Sequence, residues 1–260
     1  MPLGSRNHGV PTANVRTHKL LPHHISFEKM EHDMNKAIYL KLGKPTDNLR
    51  VGQSHWWGYP DMPLNMEVPT LTDADGNEYA LDFLCQINLS DLHEFLNDTA
   101  AATGDSHIAQ CPLPKSGLLL FFADIAYYLG NWDEPSISMH YSDNRQVRVI
   151  YVPQEQMAEV VSCEEFYADD NICAQPIEFA LEKPGHDAPE HCLLGFPEHR
   201  EWEDWDEGHE QWQLLLQMDS CEDDSYVCNF IDWGVLNLII SPEDLRRHDF
   251  SNVVGIILST

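Results

Sequence analysis

Between Gln211 and Phe250 the chain reads as strand, loop, strand and helix, and the strand–loop–strand part of that pattern occurs once before. Trp212, Leu214, Leu216 and Met218 alternate with Gln213, Leu215 and Gln217, and an apolar run from Val235 to Ile240 follows Gly234. Both are marks of core strands. Ser241 as N-cap, Pro242 at N1 and the acidic Glu243 and Asp244 predict a helix start directly after. Upstream, Phe83–Leu92 followed by Gly117–Phe122 matches Leu214–Asp219 and Gly234–Ile239, with Gln86 and Gln217 in the same place. The repetition implies a duplicated unit, with pseudo-repeats at about 52–125 and 190–260. Two copies are too few for a solenoid, so one compact two-lobed body with a shared core is expected.

The intervening segments favour strands over helices. Residues 1–22 lack periodicity and are expected to form a flexible leader before a single domain over 23–260. Ser26 begins a stretch in which Phe27, Met30, Met34, Ala37 and Ile38 recur at helical spacing before Gly43 and Pro45, which predicts a helix. Gly52–Pro69 is rich in proline and aromatics, a fixed irregular loop held by Trp56, Trp57 and Tyr59. Asp73–Glu78 lacks the spacing and the distant glutamate of a calcium loop and reads as a hairpin turn before a strand over Tyr79–Leu89. Ser90 then caps a short helix. Ser136–Tyr141 and Gln146–Val152 suggest a hairpin, Met157–Tyr167 a helix, and Ile177, Phe179 and Leu181 a further strand. Neighbouring strands with helices between some of them predict an α+β fold with a largely antiparallel sheet.

Charge narrows the partners. Fifteen Lys and Arg stand against 43 Asp and Glu, a formal net charge of −28, which disfavours nucleic acid or an anionic membrane and favours cations or basic proteins. The sharpest acidic run is Glu198–Glu210. A solvated loop explains it, but Trp202 and Trp205 among Glu201, Glu203, Asp204, Asp206 and Glu207 also suit a basic protein surface. Seven cysteines without a Cys-x-x-Cys pair indicate reduced thiols, and with no signal-like or spanning apolar run the expected location is the cytoplasm.

Catalytic signatures are missing. There is no glycine-rich dinucleotide or phosphate loop, no Gly-x-Ser-x-Gly and no His-Glu-x-x-His, so no catalytic residue and no cofactor are assigned. His186, His191, His199 and His209 stand near acidic residues, but spacing alone selects no metal site. Gln86 and Gln217 are amides that need partners once buried, through backbone bonds or through a ligand pocket between the repeats with Trp57, Tyr59 and Asp232 beside it. Asp232 also suits a turn.

Six segments in order resemble the YwqG-like family of bacterial proteins: Gly58–Pro63, Phe83–Leu92, Leu113–Phe122, His191–Pro197, Leu214–Asp219 and Asp232–Leu236 with the helix after it. The resemblance covers about residues 52–250 and implies an α+β fold with no established function. Some relatives are encoded near secreted toxins, so the resemblance implies a protective, toxin-binding role. Where the family tends to have Gly-Gly, this chain has Trp57-Gly58. The readings that follow are a protein-interaction module, an antidote to a basic toxin among them, and a small-ligand binder or enzyme using the inter-repeat cleft. The sequence implies no oligomeric state.

Overall fold

The computed structural model describes residues 36–72, 76–133, 136–164, 172–186, 188–198, 208–223 and 226–259. In chain order the first half contains β1 (Ile38–Leu42), β2 (His55–Trp56), β3 (Asp61–Pro63), β4 (Thr70–Thr72), β5 (Glu78–Ala80), β6 (Asp82–Asn88), α1 (Leu89–Thr103), β7 (Leu118–Ala123), β8 (Val147–Val152) and β9 (Val160–Ser162). The second contains β10 (Gln175–Ala180), β11 (Cys192–Leu193), β12 (Gln213–Asp219), β13 (Cys221–Glu222), β14 (Val227–Cys228), β15 (Val235–Ile240), α2 (Pro242–Arg247) and β16 (Val254–Leu258). The described chain is therefore mostly antiparallel sheet with few helices, the coarse form of the α+β expectation.

Ten of these strands form one sheet in the order β16-β15-β12-β11-β1-β10-β2-β6-β7-β8. The order is symmetric about the β1–β10 contact, and so is the register. Gln86 of β6 lies opposite His55 on one side and Leu120 on the other, and Gln217 of β12 lies opposite Cys192 and Asn237. A register shift falls between Phe83 and Cys85 in β6 and between Leu214 and Leu216 in β12. Such a bulge moves later residues to the other face. Leu81 and Phe83 accordingly join one cluster, while Cys85 and Ile87 join the main core, so the alternation along Tyr79–Leu89 is not a single face. The leading strands are exchanged: β1 pairs with β11 and β10 with β2. Each half thus completes its sheet with a strand from the other.

Tight backbone approaches fix this exchange. Trp57 and Gly58 have φ of 53° and 76°, and Leu194 and Gly195 have 59° and 87°. A Cβ on Gly58 would lie 2.5 Å from the Ala174 Cβ, and one on Gly195 2.7 Å from the Ala37 Cβ. Ala174 and Ala37 directly precede the exchanged strands, so glycine is required where each turn meets them. Trp57 holds its positive φ with its side chain buried, at the place where the resembled family tends to have glycine.

Several expectations are corrected. Ile38 is in β1, not in a helix, because pairing with β10 and β11 on both sides overrides its helical spacing; the rest of that stretch up to residue 35 lies outside the described residues. Residues 136–141 are not a hairpin strand. The Ser142 N–H donates to the Gly255 carbonyl, the Ile257 N–H donates to the Ser138 carbonyl, and Ile137 is buried. This segment therefore lies along the β16 edge, while Val147 of β8 packs on Gly255. The two edge strands are brought near one another, and the sheet is nearly closed. Residues 154–159 form a 3-10 turn leading into β9 instead of a helix. Helix α1 is longer than expected, and Asn88, not Ser90, caps it by accepting from the Ser90 and Asp91 N–H groups. The α2 start is as expected, with the Ser241 hydroxyl accepting from the Asp244 N–H.

All seven cysteines are free. No helix among the described residues is long and apolar enough to cross a membrane.

Candidate functional site

The two glutamines organise matching frames. Gln86 is fully buried. Its Oε1 accepts from the Asp61 N–H at 2.9 Å, and its Nε2 donates to the Gln53 carbonyl at 2.9 Å and to Asp61 Oδ2 at 2.6 Å. Gln217 does the same in the second half, accepting from the Glu198 N–H at 2.9 Å and donating to the Glu190 carbonyl at 3.2 Å. Buried amides satisfied on both ends fix the loops they bond. Asp61 therefore stands in the first frame where Glu198 stands in the second.

The frames differ in what they face. In the second, the Lys183 ammonium sits 2.6 Å from Glu190 Oε2 and 3.2 Å from Glu198 Oε1. Burial and the adjacent Glu190 carboxylate push Glu198 up to about 7, against the pull of Lys183, whose own pKa is raised by its bond to Glu190. In the first, Asp61 borders an open cleft of about 440 Å³, with Asp47, Arg50, His55, Tyr59 and Glu164 also on its walls. Asp61 is 4% exposed and His55 3%. The Gly52 N–H donates to Asp61 Oδ2 at 2.7 Å, so among the described residues both donors to the carboxylate are uncharged and both fall on Oδ2.

His55 adds a second acceptor. Its Nδ1 lies 2.6 Å from the Trp57 carbonyl, which can only accept, so Nδ1 carries the proton and Nε2 of the neutral ring is an acceptor. Burial lowers the His55 pKa, opposed by the Asp61 charge and the bond to Trp57.

The structure does not bring Gln86 and Gln217 to one pocket. Five strand steps separate β6 from β12 in the sheet, about 24 Å measured along it at the usual spacing, and neither glutamine is among the described lining of the cleft. Gln86 lies behind the cleft, Tyr59 lines it, and Trp57 is buried against Tyr226 with ring centroids 5.4 Å apart. Asp232 sits on an exposed turn before β15. Trp202, Trp205, Glu201, Glu203, Asp204, Asp206 and Glu207 lie outside the described residues. His199 does too, and His191 is buried with Nδ1 accepting from the Asp219 N–H. No metal-ligating cluster occurs among the described residues. His55 and Asp61 were the residues sequence reasoning missed. Their signal was the run Ser54–Asp61, where polar residues flank two tryptophans.

A search of curated proteins finds no match. Residues 54–257 match the model of a family described as a domain of unknown function, DUF1963. That span runs from the edge of the cleft through nearly all of β16 and leaves out only β1 of the ten-stranded sheet, so the chain belongs to the DUF1963 family.

Proposed function

We propose that the chain is a binding protein for a small polar ligand, taken up in the cleft at Asp61 and His55. The carrying observation is the contrast between the two frames: Glu198 shares the Lys183 ammonium with Glu190, whereas Asp61 borders an open cleft and accepts from uncharged donors, with no ion pair among the described residues. Buried charge without a partner is costly, and sites that tolerate it are candidates for function. The test is a melting-temperature screen against cationic, anionic and neutral metabolites, repeated on Asp61→Asn. A compound that stabilises the natural chain but not the variant is the expected result; a set that leaves both unmoved sinks the reading.

A protein partner is the second reading, favoured by Trp233. It is 54% exposed at the end of a run, Ile231, Asp232 and Trp233, with φ of 38°, 51° and 62°. Strain of this kind collects at recognition sites, and the net charge of −28 suits a basic, toxin-like partner. A pull-down at low and high salt tests it, with Trp233→Ser and Trp202→Ala/Trp205→Ala expected to lose a salt-sensitive partner. Capture unchanged by all three substitutions removes this surface. The matched registers and bulges also support common descent of the two halves from one duplicated unit.

A further inference from the structure

Lys183 shows what one of the two frames holds. Its ammonium bridges the Glu190 and Glu198 side chains, and those two residues are fixed by the Gln217 amide. Gln86 fixes Gln53 and Asp61 in the same way. The chain supplies the cation in the second half and leaves the corresponding carboxylate facing a cleft in the first.

The cleft walls present acceptors. Asp61 and His55, both lining the cleft, are more than nine-tenths buried, and Asp47 and Glu164 add two carboxylates against the single guanidinium of Arg50 among the described lining residues. An ammonium group offers three N–H donors and one positive charge, which complements a carboxylate beside a neutral imidazole. A carboxylate or phosphate would meet like charge there.

Resting on the binding role proposed above, we infer that the cleft takes the primary ammonium group of an organic amine, held at Asp61 as Lys183 is held at Glu198. Both the charge and the N–H donors are needed.

The test is calorimetric titration of the full chain with n-butylamine, tetramethylammonium and butyrate at pH 7.5. Butylammonium is expected to bind one to one. Binding should weaken at least tenfold in Asp61→Asn and stay unchanged in Asp91→Asn on the outer face of α1. Tetramethylammonium, which has charge but no N–H, should bind at least tenfold more weakly. Glu164→Lys, at an exposed position on the cleft wall, introduces a tethered competitor and should weaken butylammonium severalfold without touching the buried frame. Binding of butyrate or tetramethylammonium as tight as that of butylammonium overturns the ammonium assignment, as does saturable butylammonium binding that Asp61→Asn and Glu164→Lys leave intact. A metabolite from the screen that needs Asp61 but carries no ammonium overturns this inference alone and leaves the binding role standing. If nothing in either experiment binds, both fall.

Discussion

His191 stacks on Trp56 with ring centroids 4.3 Å apart and 28° between planes, joining the residue before β11 to a core residue of β2. His191 Nδ1 accepts from the Asp219 N–H at 3.1 Å, so its proton is on Nε2, which has no partner among the described residues. Burial pushes the imidazole down to about 3. The folded state therefore resists protonation that the unfolded chain accepts near 6.5, and stability falls as pH drops through that window. Between pH 7 and 4.5 this one group removes about 2 to 3 kcal/mol. His191→Phe should show a smaller acid loss in denaturant melts at those two pH values, despite a constant cost for the Asp219 N–H left unbonded. Equal losses in both proteins remove His191 as the cause.

Glu198 gives the opposite slope. Its carboxyl, pushed up to about 7, stays protonated in the fold where the unfolded chain has already ionised. Its stabilising effect is thus complete in acid and is lost as pH rises from about 4.5 to about 7. The side chain is one-third exposed, so solvent screening reduces the effect to about 1 kcal/mol. Glu198→Gln should flatten the decline between pH 5 and 7.5 in thermal melts. A variant that retains the full decline places the titration elsewhere.

The glutamine frames were half legible in the sequence. The paired strands, their glycine starts and the Gln86–Gln217 correspondence followed from periodicity and repetition, because those signals lie within single elements. The exchange of β1 and β10 did not, because which strand a segment pairs with is decided by contacts more than a hundred residues apart. Ile38–Leu42 has helical spacing on paper and becomes a strand when both its neighbours offer backbone bonds. The cleft was hidden for the same reason: Asp61 and His55 matter through Gln86, which is 25 residues beyond Asp61.

Removing either amide should show this frame at work. Gln86→Leu strands the Asp61 N–H and removes a donor from its carboxylate, and Gln217→Leu strands the Glu198 N–H. Each should destabilise by about 2 to 4 kcal/mol, the cost of losing several buried bonds with partners left behind. The two should differ in ligand response: Gln86→Leu should abolish stabilisation by a cleft ligand, and Gln217→Leu should preserve it. Chemical denaturation with and without ligand reads both, and a Gln217→Leu protein that loses the response contradicts the separation of the frames.

The exchanged strands make a similar paired prediction. Gly58→Ala and Gly195→Ala each combine a positive φ with a Cβ at 2.5 or 2.7 Å from the alanine ahead of the partner strand. Left-handed backbone costs an alanine about 1 kcal/mol and overpacking about 1 to 3 more. Gly185→Ala, with nothing within 4 Å of its Cβ and no positive φ, serves as the neutral control. Thermal melts should show two large drops and no change for the control. A mild effect at either glycine means that the β1 or β10 crossover is looser than its contacts indicate.

The turn before β15 should respond in the other direction. Ile231, Asp232 and Trp233 are three successive non-glycine residues at positive φ, a conformation that costs up to about 1 to 2 kcal/mol per residue. It is held by the Trp233 N–H donating to Asn229 Oδ1 at 2.9 Å and by the Gly234 N–H donating to the Phe230 carbonyl at 2.6 Å. Gly234 itself abuts the Leu258 carbonyl of β16, leaving no room for a Cβ, so the sheet fixes where the turn must end. Asp232→Gly removes the side-chain strain but loosens the unfolded chain, and should leave a net gain of about 0.5 kcal/mol. If the strain persists because it presents Trp233 to a partner, the more stable variant should bind that partner less well. A variant both less stable and unchanged in binding would show that Asp232 supports the turn instead of straining it.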